Sequence, residues 1–173
     1  MADEFYELLR DQLRQGDIFA AVQFVRLEAS EGDDSQPIAR VSTKLVRGML
    51  LNQSCDVDKP HTLRLVVVPV VNLSELSSAD QTNVRKNKVF SRLHLPRYRD
   101  TMPESFVSVL EPMTVDRKWL QAASRLVSLS EQGRRALYFQ YTRWLSRWEL
   151  TEIPCPACGA SFNPAQTLKV END

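Results

Sequence analysis

Nothing in this sequence is long and apolar enough to span a bilayer: the densest apolar run, residues 63–73, is broken by Arg64, Pro69 and Asn72. The chain opens Met1-Ala2-Asp3-Glu4, without the basic start and apolar run of a secretory signal, so the expected location is the cytoplasm with no membrane contact. Net charge is also missing. The 22 Lys and Arg balance 22 Asp and Glu, so bulk charge does not advertise a nucleic-acid binder and any positive surface must be local. Three cysteines are too few, and of the wrong parity, for a disulfide framework; a metal site or free thiols fit better. There is no internal repeat, and nothing reads as regular βαβ units.

What is present suits one domain. A chain of 173 residues with 43% hydrophobic side chains has material for one sizeable core and little for a second. Residues 3–15 carry Phe5, Leu9 and Leu13 at helical spacing, which predicts an amphipathic helix ended by Gly16-Asp17. Residues 18–27 read as a strand and residues 28–37, rich in acids and turn formers, as a loop. Strands are expected at residues 39–46, 49–51, 63–71, 89–95 and 105–110. The β-branched run at 63–71 predicts burial on both faces, and its Pro69 an edge, a bulge or a strand exit.

Residues 77–87 read as a short polar helix, and Asp116 as the start of a helical turn through Leu126. Ser128 and Glu131 have capping-box spacing ahead of a long helix. The apolar stripe of that helix is Leu137, Tyr141, Trp144, Leu145 and Trp148, most simply core, with a dimer face as the alternative. The expected class is therefore α+β, mainly β: a small barrel or rolled sheet with an N-terminal helix and a long C-terminal helix over residues 1–150. A flexible Cys-x-x-Cys tail over residues 151–173 would follow.

The order of segments resembles the MazF/PemK toxin family, whose fold is an SH3-like barrel. The resemblance rests on GDIFAAVQ (residues 16–23), an acidic loop, RGMLLNQ (47–53) and LRLVVVPVVN (63–72). Downstream it continues in SFVSVLEPMTVDRKWL (105–120) and RLVSLSEQGRRAL (125–137). It implies an RNA-cutting Arg at Arg47 and a Thr or Ser at Val71. Arg47 fits the first position, with Gly48 beside it where the family has proline; the second falls on Val71, which has no hydroxyl, and Asn72 follows. A second resemblance, through NQSCDVDK (52–59) and the segments at 92–96, 105–107 and 114–115, is to an uncharacterised bacterial group and implies no activity.

Three constellations could carry chemistry. Cys155-Pro156-Ala157-Cys158-Gly159 reads as half of a structural zinc knuckle, completed by Cys55 with His61 or His94, or by a second chain; the alternative is a reduced turn or redox pair. Ser54, Cys55, Asp56 and His61 offer a nucleophile and bases, although a small buried cysteine beside a loop-pinning Asp56 is the favoured reading. Arg85, Lys86, Lys88, Arg92, Arg97 and Arg99, interleaved with Phe90 and Tyr98, form the basic concentration that could track a phosphate backbone. His94 reads as a structural histidine.

The leading expectation is a non-catalytic or weakly active module binding RNA, DNA or a partner protein, in a toxin–antitoxin or phage-defence setting. The second is a metal-independent endoribonuclease using Arg47 with Ser54, Asp56 and His61. The third is a structural subunit in which zinc on Cys155 and Cys158 pins a homodimer.

Overall fold

A computed structural model describes residues 2–30 and 38–146, and the short pieces Ile153–Pro154 and Ser161–Phe162. It departs from the sequence pattern at the start. Residues 3–15 do not form one helix: α1 (Ala2–Phe5) gives way to a short strand, β1 (Tyr6–Glu7), and then to a loop. An isolated helix of this length is marginal without packing. Here Tyr6 gains more in the sheet, where it is buried opposite Leu129, while Leu8 and Leu9 stay exposed and Leu13 reaches the core from the loop. Gly16 does take the left-handed conformation, at φ +86°, but as the entry to a strand. A side chain there would sit 2.7 Å from Leu129 Cβ.

β2 (Asp17–Ser30) and β3 (Ile38–Leu50) make one long hairpin. The expected loop begins too early, since residues 28–30 still pair with 38–40; residues 31–37 lie outside the described residues. The two expected strands at 39–46 and 49–51 are one. A register shift between Phe19 and Val22 bulges β2 opposite Arg47. Gly48 is needed beside it, because a Cβ would lie 2.6 Å from Val22 Cγ2.

The α2 turn (Ser54–Val57) leads to β4 (Arg64–Asn72), and a 3₁₀ turn then leads to α3 (Ser78–Arg85), the polar helix expected there. β5 (Arg92–Leu95), β6 (Ser105–Ser108) and β7 (Met113–Asp116) follow, with α4 (Arg117–Ala122) capped by Asp116. The chain then forms a strand where helix was expected, β8 (Arg125–Leu129), between β1 and β2. Leu126 and Ser128 alternate with Val127 and Leu129, and only the sheet gives Val127 and Leu129 a buried face. Ser128 therefore caps nothing. Ser130 does so instead, its Oγ accepting from the Gly133 N–H at 3.2 Å at the start of α5 (Glu131–Ser146). β9 (Ile153–Pro154) and β10 (Ser161–Phe162) form a separate antiparallel pair.

The class is α+β, built on an eight-stranded antiparallel sheet in the order β1-β8-β2-β3-β4-β6-β5, with β7 also on β4. It is not closed by strand pairing, because β1 and β5 end it. β4 lies inside the sheet, between β3 on one side and β6 and β7 on the other, and is buried on both faces, as its run of valines predicts. Val68 and Val70 enter a core with Ile18, Met49, Leu129 and Leu137 of α5. Leu65 and Val67 enter a second core with Phe19, Phe24, Val57 of α2 and Leu120 of α4. Each such side chain is worth roughly 1.5–3 kcal/mol of burial.

Pro69 sits at a break in one of the two ladders of β4, not at a bulge. Val66 turns its N–H and C=O toward Asn52 and Leu51, so by alternation the missing N–H of Pro69 faces the other neighbour. There the ladder breaks, passing from β7 at Val67 to β6 at Val70. Among the described residues no helix is long and apolar enough to cross a membrane.

Candidate nucleic-acid interface

The residues singled out in the sequence fall into three separate places. The first is the pair Arg47 and Asn72. These are diagonal neighbours on one face of β3 and β4, and Arg47 Nη1 donates to Asn72 Oδ1 at 2.9 Å. The amide one residue after Val71 thus meets the arginine.

The second place is the α2 turn. Ser54 Oγ accepts from the Gln15 N–H at 3.3 Å, and Asp56 holds Lys59 at 2.7 Å. His61 is exposed. Cys55 is exposed as well, rather than buried as favoured, because this single turn directs Val57 into the core instead. Ser54 and Asp58 face shallow polar depressions shared with Arg10, Asp11 and Arg14. Strand β4 separates this turn from Arg47 by roughly 13 Å of rise, so the structure does not bring Ser54, Asp56 or His61 to the arginine.

The third place is the end of α3 and its approach to β5. Ser77 caps α3 by accepting from the Asp80 N–H. The far end closes in a Schellman arrangement: the Lys88 N–H donates to Asn83 O and the Asn87 N–H to Val84 O. Asn87 takes φ +51°, a left-handed position that asparagine tolerates better than most side chains. This knuckle holds Lys86 and Lys88 exposed at the helix C-terminus, where the backbone dipole favours cations.

Helix α5 supplies the opposite wall. Its buried Gln140 donates through Nε2 to Val89 O at 2.7 Å and Phe90 O at 2.9 Å, with Arg92 O at 3.3 Å. This clasp sets Phe90 beside the next turn of α5. The Arg143 guanidinium lies 4.3 Å from the Phe90 ring centroid and 5.4 Å from that of Phe139. The result is an open groove of about 470 Å³ lined by Lys86, Lys88, Phe90, Phe139, Gln140 and Arg143 among others. No described acidic side chain lines it.

The other arginines of the basic concentration lie outside this groove and have partners elsewhere. Arg85 grips Glu104 with two hydrogen bonds, of 2.8 and 2.7 Å. The same carboxylate meets His94 Nε2 at 2.8 Å, so His94 has the structural partner expected of it. Arg85, with support from His94, holds the Glu104 carboxyl down to about 2 against the opposing effect of burial. Arg97 pairs with Asp100, Arg92 lies over Phe106, and Arg99, at φ +47°, lies over Tyr98.

Sequence reasoning missed Phe139, Gln140 and Arg143. Their spacing of three and four residues was legible as one helix face, but only the fold says which element that face meets. Among the described residues no three His, Cys, Asp or Glu side chains gather as a metal would need. Cys155, Cys158, Trp148 and most of residues 151–173 lie outside the described residues. A comparison of the chain with models of known protein families finds no match, and a comparison with curated proteins finds none.

Proposed function

We propose that this protein is a binding module for nucleic acid, a divergent relative of the MazF/PemK-type barrel in which binding has outlasted cleavage. One observation carries the binding reading: the groove between α3 and α5 puts Lys86, Lys88 and Arg143 around two aromatic rings with no acidic side chain among the described residues of its lining. Cations supply sequence-independent attraction to phosphates, and rings supply faces for bases. The family reading draws support from the segment order and from the Arg47–Asn72 pair at the end of β4. A toxin–antitoxin or phage-defence setting belongs to the same proposal, with a co-encoded protein as the partner.

Phosphate contact through Lys86 and Lys88 predicts a shallow salt slope, about −1.4 in log K against log salt for a single strand, or roughly sevenfold between about 50 and 200 mM. Fluorescence anisotropy with a labelled mixed-sequence oligonucleotide measures this. Reversing Lys86 and Lys88 together to Glu abolishes the binding. Affinity indifferent to salt, or unchanged in the double variant, removes the reading.

The endoribonuclease reading stands second, on the observation that Arg47 is half-buried and hydrogen-bonded at a strand end. It needs a proton acceptor near Arg47. Long RNA incubated in EDTA, and cut equally well by Arg47→Ala, would exclude that role. The zinc-pinned dimer belongs to Cys155 and Cys158, and zinc content with sizing in chelator is its test.

A further inference from the structure

The groove between α3 and α5 is more than a cationic surface. Phe90 is a large aromatic left 39% exposed, yet it is not loose: the backbone carbonyls of Val89, Phe90 and Arg92 are all held by Gln140. Its ring already carries a planar cation at stacking range, with Phe139 behind. Ordering an exposed ring and a long arginine before any ligand arrives lowers the entropy cost of binding. A guanidinium plane and a phenyl face share one set of partners, flat π systems. Lys86 and Lys88 stand at the other wall, where the phosphates attached to such a system would pass.

We infer that the Arg143–Phe90 pair is a stacking subsite for one unpaired nucleobase. This rests on the nucleic-acid reading above and adds what it lacks, a preference for single strands. Duplex bases hide their faces in the stack, and reading a duplex groove takes a projecting helix or ribbon. This site is concave, and its volume suits a nucleotide or two. Arg143 and Phe90 engage the base, while Lys86 and Lys88 engage backbone of any sequence.

The test is an anisotropy titration of the full chain with four probes. These are a mixed-sequence 12-mer as single-stranded DNA, the same sequence as RNA, its DNA duplex, and an abasic DNA of equal length. The single strands are expected to bind at least tenfold tighter than the duplex or the abasic strand. Phe90→Leu keeps apolar bulk but removes the ring, and loses on the order of tenfold on the base-bearing single strands and nothing on the abasic one. Arg143→Lys, which keeps the charge and removes the plane, shows the same split. Phe90→Trp restores or strengthens binding. Equal affinity for duplex and single strand, or equal losses on abasic and base-bearing probes, overturns the subsite while leaving a phosphate-binding groove. No binding of any probe overturns the nucleic-acid reading itself.

Discussion

Glu104 shows how one side chain decides what its neighbours can do. Its carboxylate accepts two bonds from Arg85 and one from His94, which joins α3, the segment before β6 and strand β5. Arg85 is thereby withdrawn from the phosphate-binding set to which its neighbours Lys86 and Lys88 belong. The arrangement has a pH signature. The folded state holds Glu104 down at about 2, against an ordinary 4.5, so the unfolded chain binds its proton first. Stability from this group is fully present above about pH 4.5 and is lost as pH falls toward 2. A third of the side chain is exposed, so solvent screening reduces the effect. Chemical denaturation between those pH values should give a stability that falls with acid in the parent and a flatter profile in Glu104→Gln. Identical profiles would show that the carboxylate is not coupled to folding.

At the scale of elements, the junction between α1 and α5 inverts a familiar rule. Alanine normally exceeds glycine in a helix by about 1 kcal/mol. In the first turn of α5, however, a Cβ on Gly133 would lie 2.5 Å from Phe5 O, the carbonyl that accepts from the Ser130 N–H. Gly133→Ala should therefore destabilise by roughly 1–3 kcal/mol in urea, by overpacking against backbone and loosening that hydrogen bond. A variant as stable as the parent would mean α1 yields freely. The same junction marks where sequence stops informing. The continuous β-branched run of β4, the polar helix α3 and the Leu137, Tyr141 and Trp144 part of the α5 stripe carry their own signal, whereas Leu145 of that stripe, expected in the core, is exposed. Residues 3–15 carry an equally good helical spacing and are mostly not helix, since Tyr6 is claimed by Leu129, more than a hundred residues away. β8 was hidden for the same reason: five residues look like a strand only when β1 and β2 are known to flank it. In the candidate site, Lys86, Lys88 and Phe90 were legible as local chemistry. Arg143 was not, because its role depends on a helix packing against them from fifty residues on.

Across the whole molecule, the two open ends of the sheet are joined by side chains instead of strand pairing. Tyr6 of β1 donates its hydroxyl to Pro96 O, just past β5, at 2.7 Å, and its ring lies 4.9 Å from that of Tyr98. Burial pushes the Tyr6 phenol upward, which keeps the proton needed for that bond. Helix α5 makes the second tie: it begins against Phe5, beside β1, and reaches the approach to β5 through Gln140. Both ties link the same two ends of the sheet, so their losses should not be independent. Tyr6→Phe leaves Pro96 O without its donor and should cost about 1 kcal/mol. Gln140→Leu strands the Phe90 carbonyl and takes from Val89 O one of its two donors, the other being the Arg92 N–H, and should cost roughly 1–3 kcal/mol. In the double variant the coupling energy should exceed about 0.5 kcal/mol, and amide exchange in β5 should accelerate beyond that in β4, which is held by strands on both sides. Additive losses with uniform exchange would place the two contacts in separate units, leaving the α3–α5 groove to be held open by α5 alone.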